Sequence, residues 1–293
     1  MKVLFVYNPV AGQLQIKSYL WNILNFFSRE KVELTVYATQ KSKEAYQLVK
    51  KYGAKYDRII CSGGDGTLHE VINGMMETES DNILGYIPAG SVNDFAASLN
   101  LPKNKNKAAE IALKGKTKNL DVGKFNDLFF IYVAAFGVFT EVAYETTQEM
   151  KNILGRLAYF LQGVKSIASM KTYQVKTIEK GIETEDEYIF GMITNTLSVG
   201  SLYKLSDQNV ELDDGLFEVT LIKVPHDLME LNLLTNFLLY GKEGNNLVKT
   251  FKTDNIEFIF DEPASWTLDG EYGGKPKEVK IEVIEKTINF ACE

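Results

Sequence analysis

Two cysteines, two histidines and no long apolar run in 293 residues leave several chemistries without material. Cys61 and Cys292 lie far apart, and Cys61 ends an apolar run that reads as a buried strand, so no disulfide framework is expected and a reducing cytoplasm is the default compartment. These cysteines and histidines also show no zinc-ligand spacing. With only His69 and His226 and no Gly-x-Ser-x-Gly, a serine hydrolase triad has nothing to be built from.

The most apolar stretch, Leu128 to Phe139 between Asp127 and Glu141, falls short of the roughly 20 residues needed to cross a bilayer. The opening residues Met1 to Pro9 lead into no signal-peptide hydrophobic region, so no secretory leader is expected. Positive charge is short as well: a net charge of −7 argues against nucleic-acid binding, which needs a surface able to neutralise many phosphates. The one local exception is Lys103, Lys105, Lys107, Lys114, Lys116 and Lys118, interrupted by Glu110 alone. That run reads first as a solvated loop and helix face, and second as a surface for anionic lipid.

What the chain does have is alternation. Apolar Val3 to Tyr7, then Leu20, Ile23, Leu24 and Phe27 at helical spacing, then Val32 to Tyr37 make a βαβ signal. It continues with a helix over Ala45 to Lys51, a strand at Arg58 to Cys61, a helix over Leu68 to Met76 and a strand at Ile83 to Ile87. This predicts an α/β fold with an N-terminal doubly wound parallel sheet. Beyond Asp121 the pattern turns to short alternating runs such as Ile256, Phe258 and Phe260, with helices near Met150 to Met170 and Leu228 to Leu239. A second, mainly-β sandwich domain is expected over 122–284, with 285–293 returning to complete the first domain, 1–121.

Three strands of the first domain end in loops poor in side chains: Asn8-Pro9-Val10-Ala11-Gly12, Gly63-Gly64-Asp65-Gly66-Thr67 and Pro88-Ala89-Gly90-Ser91-Val92-Asn93-Asp94. In a parallel sheet they share one edge, and ligands of open α/β sheets bind outside the carboxyl ends of the strands. Glycines in the middle loop let backbone N–H groups and the following helix N-terminus face phosphate oxygens. Asp65 suits Mg²⁺ or its waters, and Thr67 offers a hydroxyl beside them. Gly115-Lys116-Thr117 is not a P-loop, because its first glycine would be Glu110, and His69 stands where a dinucleotide fingerprint requires glycine. Later, Glu211-Leu212-Asp213-Asp214-Gly215-Leu216 reads as an acidic turn or a cation site, and Asp269-Gly270-Glu271 as a hairpin turn.

Together, Asn8 to Gly12, Gly63 to Gly74, Pro88 to Phe95, Leu120 to Gly123, Leu212 to Gly215 and Leu268 to Gly274 resemble the diacylglycerol kinase catalytic family. That family also holds sphingosine and ceramide kinases and is distantly similar to NAD kinases. The last segment, with Ala143-Tyr144-Glu145-Thr146, is closest to soluble diacylglycerol kinases of Gram-positive bacteria. The resemblance implies transfer of the ATP γ-phosphate to diacylglycerol, giving phosphatidic acid. The alternatives are another lipid alcohol, NAD, or a non-catalytic nucleotide- or lipid-binding regulator.

By resemblance, Asn8, Thr39, Gly63, Gly64, Asp65, Gly66, Thr67, Leu68, His69, Ser91 and Asn93 contact ATP, with Ser91 where the family has threonine. Asp65, Asp94 and Asp121 are implied as a carboxylate network around the Mg²⁺-nucleotide, and Glu271 as the general base. A second, structural Mg²⁺ is implied at Asp214 with backbone oxygens of Glu211 and Leu216. Peripheral contact with the inner membrane surface and a homodimer are also implied. Aromatic residues Phe129, Phe130, Phe136, Phe139, Tyr159 and Phe160 are available for an apolar channel, and as such runs go they read first as core.

Overall fold

The computed structural model describes residues 1–14, 16–78, 81–91, 93–137, 153–163, 170–195, 212–240 and 246–293. Glu211, Phe139 and the segment 143–146 lie outside the described residues, as do the side chains of Asp94 and Tyr159. The chain forms two compact units, residues 1–122 with 285–293 and residues 123–284.

The first unit runs β1 (Lys2–Tyr7), α1 (Ala11–Leu14), α2 (Ile16–Arg29), β2 (Glu33–Ala38), α3 (Glu44–Tyr52), β3 (Arg58–Gly63), α4 (Asp65–Met76), β4 (Ile83–Pro88), α5 (Asp94–Ser98) and α6 (Lys105–Lys114). From there β5 (Lys116–Phe125) leads into the second unit. That unit continues β6 (Leu128–Phe130), β7 (Val133–Gly137), α7 (Ile153–Gly163), β8 (Tyr173–Glu179), β9 (Ile182–Thr194), β10 (Phe217–Lys223), α8 (Leu228–Tyr240), β11 (Val248–Thr253), β12 (Asn255–Phe260), β13 (Trp266–Leu268) and β14 (Glu271–Gly274). The long β15 (Glu278–Cys292) carries the chain back.

In the first unit the end of β15, then β4, β3, β1 and β2, pair in that order, and every pair is parallel. Strands covered on both faces carry continuous apolar runs, as in Val3 to Val6 of β1 and Ile59 to Cys61 of β3, which is buried along its whole length. Val3, Phe5, Ile60 and Ile87 pack with Ile16, Ile23 and Phe27 of α2 and with Ala108, Ala109 and Ala112 of α6. The apolar stripe of α2 recurs at helical spacing, which directs it to the sheet. The Asn104 side chain caps α6 by accepting the N–H groups of Asn106 and Lys107. The strand order changes direction between β1 and β3, so the two loops after these strands flank the switch point where such sheets bind ligands.

The second unit is antiparallel and closes on one aromatic core. Phe136 meets Tyr173, Phe258, Phe260 and Trp266 at ring-centroid distances of 4.9 to 5.8 Å. Phe130 and Phe136 are therefore core and line no channel, while Phe160 on α7 is exposed. The expected solvated lysine face holds at Lys103, Lys107, Lys114, Lys116 and Lys118, which are exposed, with Lys107 paired to Glu293 at 3.0 Å and Lys114 to Glu30 at 2.6 Å; Lys105 alone of the run is buried. Both cysteines are free, and burial pushes the Cys61 thiol up, as its place inside β3 requires. Among the described residues no helix is long and apolar enough to cross a membrane.

Candidate active site

The three loops after β1, β3 and β4 are knitted together at one edge of the parallel sheet. The Asn8 N–H donates to the Ser62 carbonyl at 2.8 Å, and its side-chain amide reaches Thr67 Oγ1 at 3.4 Å. The N–H groups of Ala89 and Gly90 both donate to the Gly63 carbonyl, at 2.7 and 3.1 Å. These bonds fix how closely the loops approach. A Cβ on Gly90 would lie 2.4 Å from the Gly64 Cα, so two bare backbones meet where no side chain fits.

α4 opens directly from this contact. Its first flanking residue is Gly64, which has no side chain to cap the helix, and Asp65 occupies the first turn. The N–H groups of Thr67 and Leu68 bond back to the Gly64 carbonyl. A helix start of this kind presents backbone N–H and the positive end of the helix dipole to an anion. Thr39, at the end of β2, donates its hydroxyl to the Tyr7 carbonyl at 3.4 Å and is buried beside the first loop. His69 lies one turn into α4, where its ring meets the Asn73 amide at 3.3 Å. Ser91 is exposed on the third loop.

Asn93 sits in the left-handed region at φ 57° and closes the third loop on itself. Its Oδ1 accepts the Gly90 N–H at 2.8 Å, and its Nδ2 donates to the Gly90 carbonyl at 2.7 Å. A residue that pattern analysis passed over completes this arrangement. The Tyr86 hydroxyl, buried in β4, lies 3.0 Å from the Gly63 carbonyl and 3.2 Å from Asn93 Oδ1. Burial raises its phenol well above the ordinary value, with the Asp65 charge adding to the shift, so it stays protonated and remains a donor. Its only trace in the sequence is a polar tip inside the apolar strand just before the Pro88 loop.

The acidic residues separate into groups. Asp65 accepts the Phe95 N–H at 3.4 Å, tying the start of α4 to the start of α5. Asp121, fully buried on β5, accepts the Lys286 N–H at 2.7 Å. Among the described residues no three His, Cys, Asp or Glu side chains form a cluster able to hold a metal alone. A Mg²⁺ carried by a nucleotide asks for less, because one or two carboxylates and the phosphates commonly complete its shell.

The acidic turn of the second unit fits a metal poorly. Asp214 Oδ1 accepts the Leu216 N–H at 3.1 Å, and Oδ2 lies 2.9 Å from Lys252 Nζ. Lys252 also reaches Glu218 Oε1 at 3.2 Å, so an ammonium already neutralises this turn. Burial still raises the Glu218 carboxyl, with Lys252 opposing that shift.

The Asp269-Gly270 pair is a two-residue hairpin turn between β13 and β14, with φ of 51° and 87°. Positive φ at both central residues is the primed turn that matches the twist of a hairpin, and Asp-Gly is among the pairs that favour it. Glu271, the first residue of β14, is exposed, whereas Asp269 is buried.

Comparison with known proteins agrees with this geometry. The diacylglycerol kinase catalytic domain matches residues 2–125. A diacylglycerol kinase of Bacillus subtilis (strain 168) is 33% identical over 92% of this chain and 89% of its own length. One from Staphylococcus carnosus (strain TM300) is 32% identical over 92% and 88%. The crystal structure of a diacylglycerol kinase from Bacillus anthracis str. Sterne aligns with a TM-score of 0.75 at 25% identity, covering 100% of this chain and 97% of that one. With two relatives this similar over nearly their whole length, and with the glycine loop, the third loop and the late hairpin all in place, the chain belongs to the diacylglycerol kinase family.

Proposed function

We propose that this protein is an ATP-dependent lipid kinase that transfers the γ-phosphate of ATP to the free hydroxyl of diacylglycerol, giving phosphatidic acid. The observation that carries this is the side-chain-free contact between Gly64 and Gly90 at the uncapped start of α4, beside the switch point of the sheet. It is a phosphate cradle by construction. The names of the relatives supply the lipid acceptor.

In this mechanism the backbone N–H groups of 64–66 hold phosphate oxygens, those of Thr67 and Leu68 being bonded to the Gly64 carbonyl, while Asn8, Thr39, Thr67, His69, Ser91 and Asn93 position the nucleotide around them. The divalent ion would be Mg²⁺, for which Asp65 would supply a carboxylate, with Asp94 and Asp121 in support. When bound, it neutralises charge on the β- and γ-phosphates. Glu271 takes the proton of the lipid hydroxyl as that oxygen attacks the γ-phosphorus in line with the leaving diphosphate. The first unit serves the nucleotide and the second the lipid. Asp214 with Glu211 and Leu216 is a weaker metal site, because Lys252 already occupies the open side of the carboxylate. The lipid is met by peripheral contact with the membrane surface, a reading that follows from diacylglycerol being a membrane lipid.

The test is transfer of labelled γ-phosphate from Mg²⁺-ATP in mixed micelles, with diacylglycerol, sphingosine, ceramide and NAD offered in competition. Labelled phosphatidic acid as the dominant product supports the proposal. Turnover of another acceptor moves the substrate and keeps the kinase. ATP binding without transfer to any acceptor leaves a non-catalytic regulator.

A further inference from the structure

The residue two places before Glu271 is held more tightly than a hairpin turn requires. Asp269 is 3% exposed, and its carboxylate accepts three successive backbone N–H groups. Ile131 donates to Oδ2 at 2.8 Å, while Tyr132 and Val133 donate to Oδ1 at 3.0 and 3.1 Å. The main chain of Asp269 is fixed as well: its N–H donates to the Val133 carbonyl at 2.8 Å, and its carbonyl accepts the Tyr132 hydroxyl at 3.2 Å. The bend between β6 and β7 thus forms a backbone anion nest whose guest is a side chain of the same unit.

Turn chemistry alone does not ask for this. Asn-Gly is at least as good as Asp-Gly in a primed turn, so the dihedral angles leave the choice between amide and carboxylate open. The three N–H groups settle it, because a carboxylate offers two acceptor oxygens and no donor, whereas asparagine would turn an NH₂ toward N–H groups. Asp269 is therefore selected by the nest it fills. Gly270 alone separates it from the exposed Glu271.

We propose that Asp269 is a positioning residue for the transfer reaction: by anchoring the hairpin in the 131–133 nest, it fixes the direction from which Glu271 presents its carboxylate. This rests on the role of Glu271 as proton acceptor. Asp269 touches no reacting atom in this scheme and acts only through Glu271.

The experiment compares wild type, Asp269→Asn, Tyr132→Phe, Glu271→Gln and the double variant Asp269→Asn/Glu271→Gln, with kcat, KM, calorimetric ATP affinity and Tm measured for each. Asp269→Asn is expected to bind ATP like wild type and to lose about 10- to 100-fold in kcat, the scale of an ångström-sized misplacement. Tyr132→Phe, which removes one hydroxyl from the clamp and preserves the fold, should lose kcat in the same direction by less. In the Glu271→Gln background the Asp269 substitution should cost no further rate, because residues acting as one unit do not add. A purely structural role would lower Tm and leave the kcat of the folded enzyme unchanged. Wild-type kcat in both clamp variants beside an inactive Glu271→Gln overturns the positioning role alone, and so does a loss that multiplies in the double variant. Wild-type kcat in Glu271→Gln overturns the general-base reading instead.

Discussion

The turn that opens α4 and the turn that precedes β14 solve the same problem by opposite means. Around Gly64 the backbone is placed by removing side chains, so that two strands of chain touch directly. Around Asp269 it is placed by adding a buried carboxylate that gathers three N–H groups. The first turn is therefore intolerant of extra atoms, and the second of equal-sized substitutions that reverse a donor and an acceptor. A binding surface for phosphate needs exposed amides, whereas a support for a reactive side chain needs its own amides consumed.

The largest expected effect falls on the second turn. Glu271→Gln keeps shape and removes the basic oxygen, so kcat should fall about 10²- to 10⁴-fold, the usual contribution of a general base. Calorimetric ATP affinity should stay at the wild-type value. A parallel loss of ATP affinity would break the division between a turn that binds and a turn that reacts.

The first turn is challenged by Gly90→Ala. The new methyl would lie 2.4 Å from the Gly64 Cα and 2.9 Å from Asn93 Oδ1, and backbone cannot swing aside as a side-chain end can. Overpacking of this kind costs about 1–3 kcal/mol, and expressed in binding that is roughly a 5- to 150-fold rise in KM for ATP. The change should leave the KM for diacylglycerol near wild type, measured at saturating ATP. Equal shifts for both substrates would show that the loop supports more than nucleotide.

The architecture was legible in the sequence because it is periodic. The apolar runs inside β1 and β3 and the helical stripe of α2 announce a covered parallel sheet, and alternation in β12 announces a half-covered antiparallel one. The glycines of 63–66 stood out because three in four positions strip the end of a strand of side chains, a pattern that a helix entry explains as well as a phosphate site. The clamp on Asp269 did not, since its partners stand more than 130 residues earlier and look like ordinary strand residues. Tyr86, the pairing of Lys252 with Asp214 and the burial of Lys105 were hidden too, although Gly63 and Asp214 stand only 23 and 38 residues from their partners, because each partner reads as an ordinary loop or strand residue. Local pattern reports which face a residue occupies. It does not report which distant polar atom waits there.

Tyr86→Phe sharpens the comparison further, because it tests whether the first turn relies on absent side chains alone. The variant removes only the hydroxyl that meets the Gly63 carbonyl and Asn93 Oδ1 and leaves the ring in the core. One buried hydrogen bond is worth about 0.5–1.5 kcal/mol, so KM for ATP should rise about 2- to 10-fold while Tm falls by a few degrees. An unchanged KM with a lowered Tm would reduce Tyr86 to a core residue.

The smallest expected effect concerns Lys252, and it separates anchoring from catalysis within the second unit. Lys252→Met keeps most of the side-chain length and removes the ammonium between Asp214 Oδ2, at 2.9 Å, and Glu218 Oε1, at 3.2 Å. Asp214 keeps 21% of its side-chain surface in water, so solvent takes up part of its lost pairing, while Glu218, whose carboxyl oxygens are buried and whose carboxyl is already raised by burial, takes up a proton in place of the ammonium. A loss of about 1 kcal/mol is expected, read as a Tm lower by roughly 2–4 °C, with kcat unchanged because the turn supplies no reacting group. Melting the same variant in rising Mg²⁺ then tests the poor metal fit of Asp214 directly. If the ammonium is the counter-charge this turn was built around, Mg²⁺ should raise Tm in the variant and wild type equally through the nucleotide site. A rise confined to the variant would mean that removing the lysine opens a cation site at Asp214, and a rise larger in wild type would mean that metal and lysine bind there together.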